Sequence, residues 1–211
     1  MKSPRQRIDP RRATTRAALV DVAEKMFAER GIDGVALRQI GAEIGFATPN
    51  VVAYHFGGKD ELVTEIFKCR LETIEARRKL LLIAAEASGR GYDQAALLHA
   101  LWRPLMDQRD SNGRHSFAAF LLGSLRSRHM QIRRALHDAY PATKEIVQRL
   151  KDSGPDLSEG EFQERILMTL GLVCIAFELM DQATSLDDDA DKRQEAIFVT
   201  SLKMAGSALY S

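Results

Sequence analysis

The sequence predicts an all-α chain, with three short or medium helices at the N-terminus and a larger helical body behind them. Three observations lead there. Apolar residues recur at helical spacing almost throughout, and no convincing alternating strand interrupts them. Glycine pairs and Ser-Gly or Asn-Gly stretches punctuate the pattern instead of strand-type turns. At 211 residues, the chain is long enough for a small unit fused to a bigger one.

The first helix is marked by Ala18, Leu19, Val22, Ala23, Met26 and Phe27, which form one stripe. Thr14 or Thr15 is its expected cap, and Gly31 its end. Leu37, Ile40 and Ile44 mark a second helix of about two turns, closed by Gly45. Thr48-Pro49 opens a third: the threonine oxygen can accept an orphan amide, and proline suits the first turn. Val52 and Phe56 fall on its inner face, and Gly57-Gly58 stop it.

A long helix is expected from Lys59 to about Ala87, with Asp60 and Glu61 at its positive end. An apolar segment from Asp93 follows, which Pro104 should bend or end. Further helices are expected at about 115–126, 128–139 and 142–152. Ser158 and Glu161 have capping-box spacing ahead of a mostly apolar helix at about 160–184, and a last helix spans about 191–209. The division is therefore residues 1–58, then 59–211.

Composition excludes several classes. A formal net charge of +1 means that any nucleic-acid surface must arise from local placement of charge. The two cysteines, Cys69 and Cys174, lie far apart, so neither a disulfide framework nor a zinc site is expected, and both are taken as small buried side chains. His99, His115, His129 and His137 lack metal-pair spacing. No GxSxG, P-loop, HExxH or paired-carboxylate constellation occurs, so no cofactor, no metal and no enzymatic activity is expected. The polar N-terminus lacks an apolar signal core and no run is long enough to span a bilayer. The expected location is the reducing cytoplasm.

Residues 36–56 have the layout of a helix-turn-helix, whose second helix enters a major groove about 12 Å wide. Leu37, Ile40, Ile44, Val52 and Phe56 would form its small core. Thr48, Pro49, Asn50, Ala53, Tyr54 and His55 remain on or at the start of the outer side. Asn50 suits bidentate pairing with adenine, and Thr48 a phosphate or thymine methyl. Tyr54, His55 and Lys59 offer donors to phosphates, and Arg38 reaches a phosphate or guanine. Lys2, Arg5, Arg7, Arg11, Arg12 and Arg16 compose a basic arm beside a single acid, Asp9.

Within residues 14–67, the segments "ALVDVAEKMFAERG", "LRQIGAEIG", "YHF" and "GKDEL" resemble the DNA-binding domain of the tetracycline-repressor (TetR) family of bacterial regulators. The chain departs from the family pattern in several places: Gly41 replaces a usual alanine, and the turn "GFAT" is one residue longer than the commonest form. Ala36 stands where a threonine often caps the second helix, and Ala53 where many members carry a phosphate-contacting tyrosine.

The resemblance implies a homodimer on a palindromic double-stranded operator, acting as a transcriptional repressor released by a small-molecule effector. It also implies a C-terminal body for dimerisation and ligand sensing. The helices at about 160–184 and 191–209 are the expected dimer-forming pair, making a four-helix bundle with the partner's. Trp102, Met106, Phe117, Phe120, Met168 and Phe177 are the expected ligand-pocket residues. The competing reading is a helical dimeric protein-interaction module that binds no operator.

Overall fold

A computed structural model describes residues 10–46, 50–125, 127, 129, 131–132, 139–183 and 189–210. Among these residues the chain forms helices α1 (Pro10–Arg30), α2 (Leu37–Glu43), α3 (Val51–Phe56), α4 (Lys59–Ala87), α5 (Gln94–Met106), α6 (Ser116–Leu125), α7 (Pro141–Asp152), α8 (Glu159–Ala183) and α9 (Ala190–Tyr210), and no strand. None of the helices in the described residues is long and apolar enough to cross a membrane.

α1 starts earlier than the sequence suggests. Pro10 occupies its first turn, where a missing N–H costs nothing, and Thr15 hydrogen-bonds back to the Arg11 carbonyl at 3.0 Å instead of capping. Arg11, Arg12 and Arg16 are therefore helical and do not belong to a free arm. Residues 1–9 of that arm lie outside the described residues, as do most of the expected helix at about 128–139 and His137.

α2 begins at Ala36, which has no acceptor to offer. Only the return half of a capping box forms, with the Ala36 N–H donating to Gln39 Oε1 at 2.7 Å. The helix ends on a Schellman turn: Phe46 N donates to Gly41 O and Gly45 N to Ala42 O, both at 3.0 Å. Gly45 has φ +81, which explains a glycine at that place.

α4 has the predicted bounds. Asp93 caps α5 by accepting from Ala96 N at 2.8 Å, and the helix runs two residues past Pro104 before it ends. The capping box before α8 is present in full, with Glu161 N donating to Ser158 Oγ at 3.3 Å and Ser158 N to Glu161 Oε2 at 3.1 Å.

α1, α2, α3 and the start of α4 pack around Leu19, Ala23, Ile40, Val52, Phe56 and Leu62, all buried. The body places α4, α5 and α7 together, pairs α8 with α9, and sets α6 between α1 and α8. An aromatic cluster joins the two parts: Phe67 of α4 lies 5.0 Å from Phe120 of α6, and Phe27 of α1 lies 6.3 Å from the same ring. Beside it, buried Glu24 of α1 accepts from Arg70 Nε of α4 at 2.6 Å and from Ser116 Oγ of α6 at 2.5 Å. Of the two cysteines, Cys174 is buried but Cys69, next to the exposed Lys68 on α4, is itself exposed.

Candidate nucleic-acid interface

α3 is six residues long, so it must be held by its neighbours. It buries Val51, Val52 and Phe56 against α1, α2 and α4. Its C-terminus closes at Gly57, whose N–H donates to Ala53 O at 2.8 Å with φ +98. Arg16 of α1 fastens that end. Its Nη1 donates to the His55 carbonyl at 2.6 Å, its guanidinium lies 4.2 Å from the centre of the Phe56 ring, and its other nitrogens pair with Glu65 of α4 at 3.0 and 3.2 Å. Arg16 is thus committed to the fold and does not serve as an arm residue.

The face left over carries Asn50, Ala53 and Tyr54, all exposed, with Tyr54 at 70%. Arg12 of α1 lies 5.4 Å from the centre of the Tyr54 ring, which brings a cation to the edge of that face. Arg38 of α2, in the same three-helix unit, is also exposed. Thr48 and Pro49 lie outside the described residues.

His55 and Lys59 are less free than the sequence suggests. His55 packs edge-on to Tyr54 at 5.2 Å and its Nδ1 is buried without a hydrogen-bond partner. Burial lowers its pKa from the ordinary histidine value, and Arg12 and Arg16 lower it further, so the ring is neutral at pH 7. Lys59 Nζ donates to the Ile32 carbonyl at 2.8 Å, tying α4 to the loop after α1. An ammonium has three donors, so this bond leaves Lys59 able to meet a phosphate as well.

The unit is a short outward-facing helix, buttressed on three sides and flanked by cations, and its sequence decides what it is. Residues 19–66 match the family model described as bacterial regulatory proteins, tetR family. This segment is a tetR-family regulatory domain by that match. It gives the chain a DNA-binding domain of the kind found in bacterial transcriptional regulators.

A comparison with curated protein sequences finds no match. Solved structures of similar outline include PfmR, a TetR-family transcriptional regulator from Thermus thermophilus, at 17% identity and TM-score 0.49 over 87% of this chain and 91% of that one. A putative TetR-family regulator from Mesorhizobium loti gives 17% identity and TM-score 0.47, over 94% and 98%. The multidrug binding protein EbrR, complexed with imidazole, gives 22% and 0.42, over 95% and 97%.

In the body, a cavity of about 70 Å³ lies between α4, α5, α6, α7 and α8. Its wall is mainly Phe67, Leu71, Leu101, Leu105, Leu121 and Ile166. Of the six expected pocket residues only Trp102 lines it. Phe117 and Phe120 belong to the aromatic cluster with Phe67, and Phe177 stacks between His115 at 4.9 Å and Phe198 at 6.1 Å. Met106 is buried in the core. Met168 is 66% exposed, on the side of α8 turned away from the cavity. α8 is apolar on more than one side, so helical period alone does not choose between them.

Sequence reasoning missed the polar part of the wall: Arg78, Tyr140 and Thr143. A signal was present. Arg78 continues the α4 stripe of Leu71, Ile74 and Leu82, an odd place for a guanidinium.

Proposed function

We propose that the protein is a homodimeric repressor whose residues 1–58 bind a palindromic operator and whose residues 59–211 dimerise and sense a small-molecule effector. The observation that carries this reading is α3, which buries Val51, Val52 and Phe56 while leaving Asn50, Ala53 and Tyr54 open. Asn50 then reads adenine, Thr48 and Pro49 contact the phosphates, and Ala53 approaches the base edges closely. Tyr54, His55, Lys59 and Arg38 donate to the backbone or, for Arg38, to guanine.

The dimer is supported by an unpartnered apolar stripe. Met168, Leu172, Ile175 and Leu179 repeat at spacings of four, three and four along α8, and Ile197 and Met204 continue it on α9. Four of these side chains are half or more exposed: Met168, Ile175, Leu179 and Met204. Two copies joined there make a four-helix bundle. Repression then depends on spacing, because twin α3 helices must sit about 34 Å apart to enter successive major-groove segments. An effector that prefers another spacing shifts the population and releases the operator.

The test is to sequence the genomic fragments retained by the purified protein and to measure their affinity against salt. A palindromic consensus, with affinity falling steeply as salt rises, is expected. Retention without a consensus, or affinity indifferent to salt, would overturn the reading in favour of a protein-interaction module.

A further inference from the structure

The cavity of the body holds a charge with no direct ion-pair partner among the described residues. Arg78 is 6% exposed and donates from Nε and Nη2 to the Leu101 carbonyl at 3.0 and 2.8 Å, and from Nη1 to Thr143 Oγ1 at 2.8 Å. All three bonds go to neutral oxygens. Among the described residues no carboxylate forms an ion pair with it. The acid in this network, Glu75, reaches Arg78 only through Thr143: it accepts from the Thr143 hydroxyl at 2.7 Å and from the Ala142 and Thr143 amides at the start of α7. Burial lowers the Arg78 pKa to about 10, with Glu75 opposing the shift, so the guanidinium stays charged at neutral pH.

A second group points the same way. Trp102 is 4% exposed and lines the same cavity, and its Nε1 is buried with no hydrogen-bond partner. An indole N–H can only donate, so what it lacks is an acceptor. Tyr140, also on the wall, is held above the usual phenol value by burial first and then by Glu72 and Glu75, which keeps its hydroxyl protonated. The polar side of the cavity therefore offers donors and one positive charge that no carboxylate among the described residues pairs directly. The rest is aliphatic or aromatic.

We infer that the effector is an organic monocarboxylate with an apolar body, its carboxylate set against Arg78 and Trp102 Nε1 and its tail among Leu71, Leu105, Leu121 and Ile166. The inference rests on reading this cavity as the effector site. A planar guanidinium suits a carboxylate, and burial strengthens the pair. A phosphate dianion would face one cation among apolar walls, and a cationic ligand would be repelled. At about 70 Å³ the cavity is far smaller than the 300–1,000 Å³ of drug-sized sites, which favours a compact ligand.

The chain has one tryptophan, so emission of the unmodified full-length protein reports on this cavity directly. Titration with sodium benzoate, hexanoate and octanoate is compared with benzamide, hexanamide, octanamide and hexylamine. Saturable emission changes are expected from at least one carboxylate, at concentrations tenfold or more below its amide. Arg78→Met should abolish that preference. Trp102→Phe, followed by calorimetry, should weaken the carboxylate several-fold while keeping the aromatic wall. It also serves where Arg78→Met does not fold.

Amides or hexylamine binding as well as the carboxylates would overturn the inference, as would a panel with no effect on emission. Retention of a selected genomic fragment, measured in parallel, separates the two levels. A carboxylate that binds without releasing DNA leaves the cavity chemistry standing and sinks the effector reading. Release by an amide or amine that perturbs Trp102 does the reverse.

Discussion

Replacing Ile175 by glutamate tests whether the α8 stripe is the dimer seam. Ile175 is 50% exposed in the single chain, so about half of its burial remains to be gained on association. Full burial of such a side chain stabilises by about 1.5–3 kcal/mol, which leaves ~1 kcal/mol per copy. A carboxylate in the same place also loses water without a partner, at a cost of at least about 2 kcal/mol. A two-fold interface counts each change twice, so Ile175→Glu should weaken the dimer by about 6 kcal/mol, roughly four decades in Kd.

Sedimentation velocity at micromolar concentration should then show a monomer, with helical circular dichroism unchanged. Operator affinity should fall by about 10²-fold or more, because the second half-site is no longer tethered to the first. A variant that still sediments as a dimer would place the interface elsewhere. One that dissociates yet holds the operator like its parent would refute the spacing mechanism.

Other variants separate reading from gripping. Asn50→Ala should cost about 1–3 kcal/mol at particular operator bases only, whereas Lys59→Ala should weaken all sequences and lower the salt slope by about 1; identical footprints for both would misplace the recognition face. Glu24→Ala leaves Arg70 with only exposed Asp21 and removes the Ser116 acceptor, so urea unfolding should show a loss of about 3 kcal/mol, and a loss near zero would mean the network is slack. Burial, then Arg12 and Arg16, lowers the pKa of His55; burial, then Arg103, lowers that of His99. The unfolded chain thus binds protons more readily, so their contribution is complete above pH about 6.5 and is lost as pH falls through the lowered folded values. The fall in urea midpoint from pH 7.5 to 5 should be shallower in the double variant His55→Gln/His99→Gln, and an unchanged fall would refute the assignment.

The helices themselves were legible because their punctuation is local. Gly57-Gly58 followed by Asp60 and Glu61 is enough to begin α4 at Lys59, and Ser158 with Glu161 announces α8. The start of α1 was missed because threonines are good caps wherever they stand, while Pro10 is a better opening and lies upstream. Side-chain environments were less legible, since which face of a helix meets a neighbour is decided by tertiary packing. Phe120 and Met168 look alike in a helical stripe, yet one is fully buried and the other is 66% exposed. Arg78 stands on the apolar stripe of α4, but the oxygens it bonds come from α5 and α7, which no local pattern announces.

The geometry of α4 makes it the natural route between cavity and operator. It is continuous from Lys59 to Ala87 and contains neither glycine nor proline, so it has no built-in hinge. Four side chains along it have separate tasks. Lys59 holds the loop after α1 by the Ile32 carbonyl, Glu65 holds Arg16 and through it the end of α3, Arg70 holds Glu24 of α1, and Arg78 faces the cavity. Arg70 and Arg78 are eight residues apart, which on a helix is about 12 Å. On the proposed mechanism, a carboxylate that draws Arg78 toward itself competes with the Leu101 and Thr143 oxygens for the same guanidinium. Any shift of α4 that follows is felt at Glu65 and Lys59, because a helix without a hinge moves as a rod. The contacts that keep α3 pointing outward are thus made to the same rod that carries the one charged side chain in the cavity wall among the described residues.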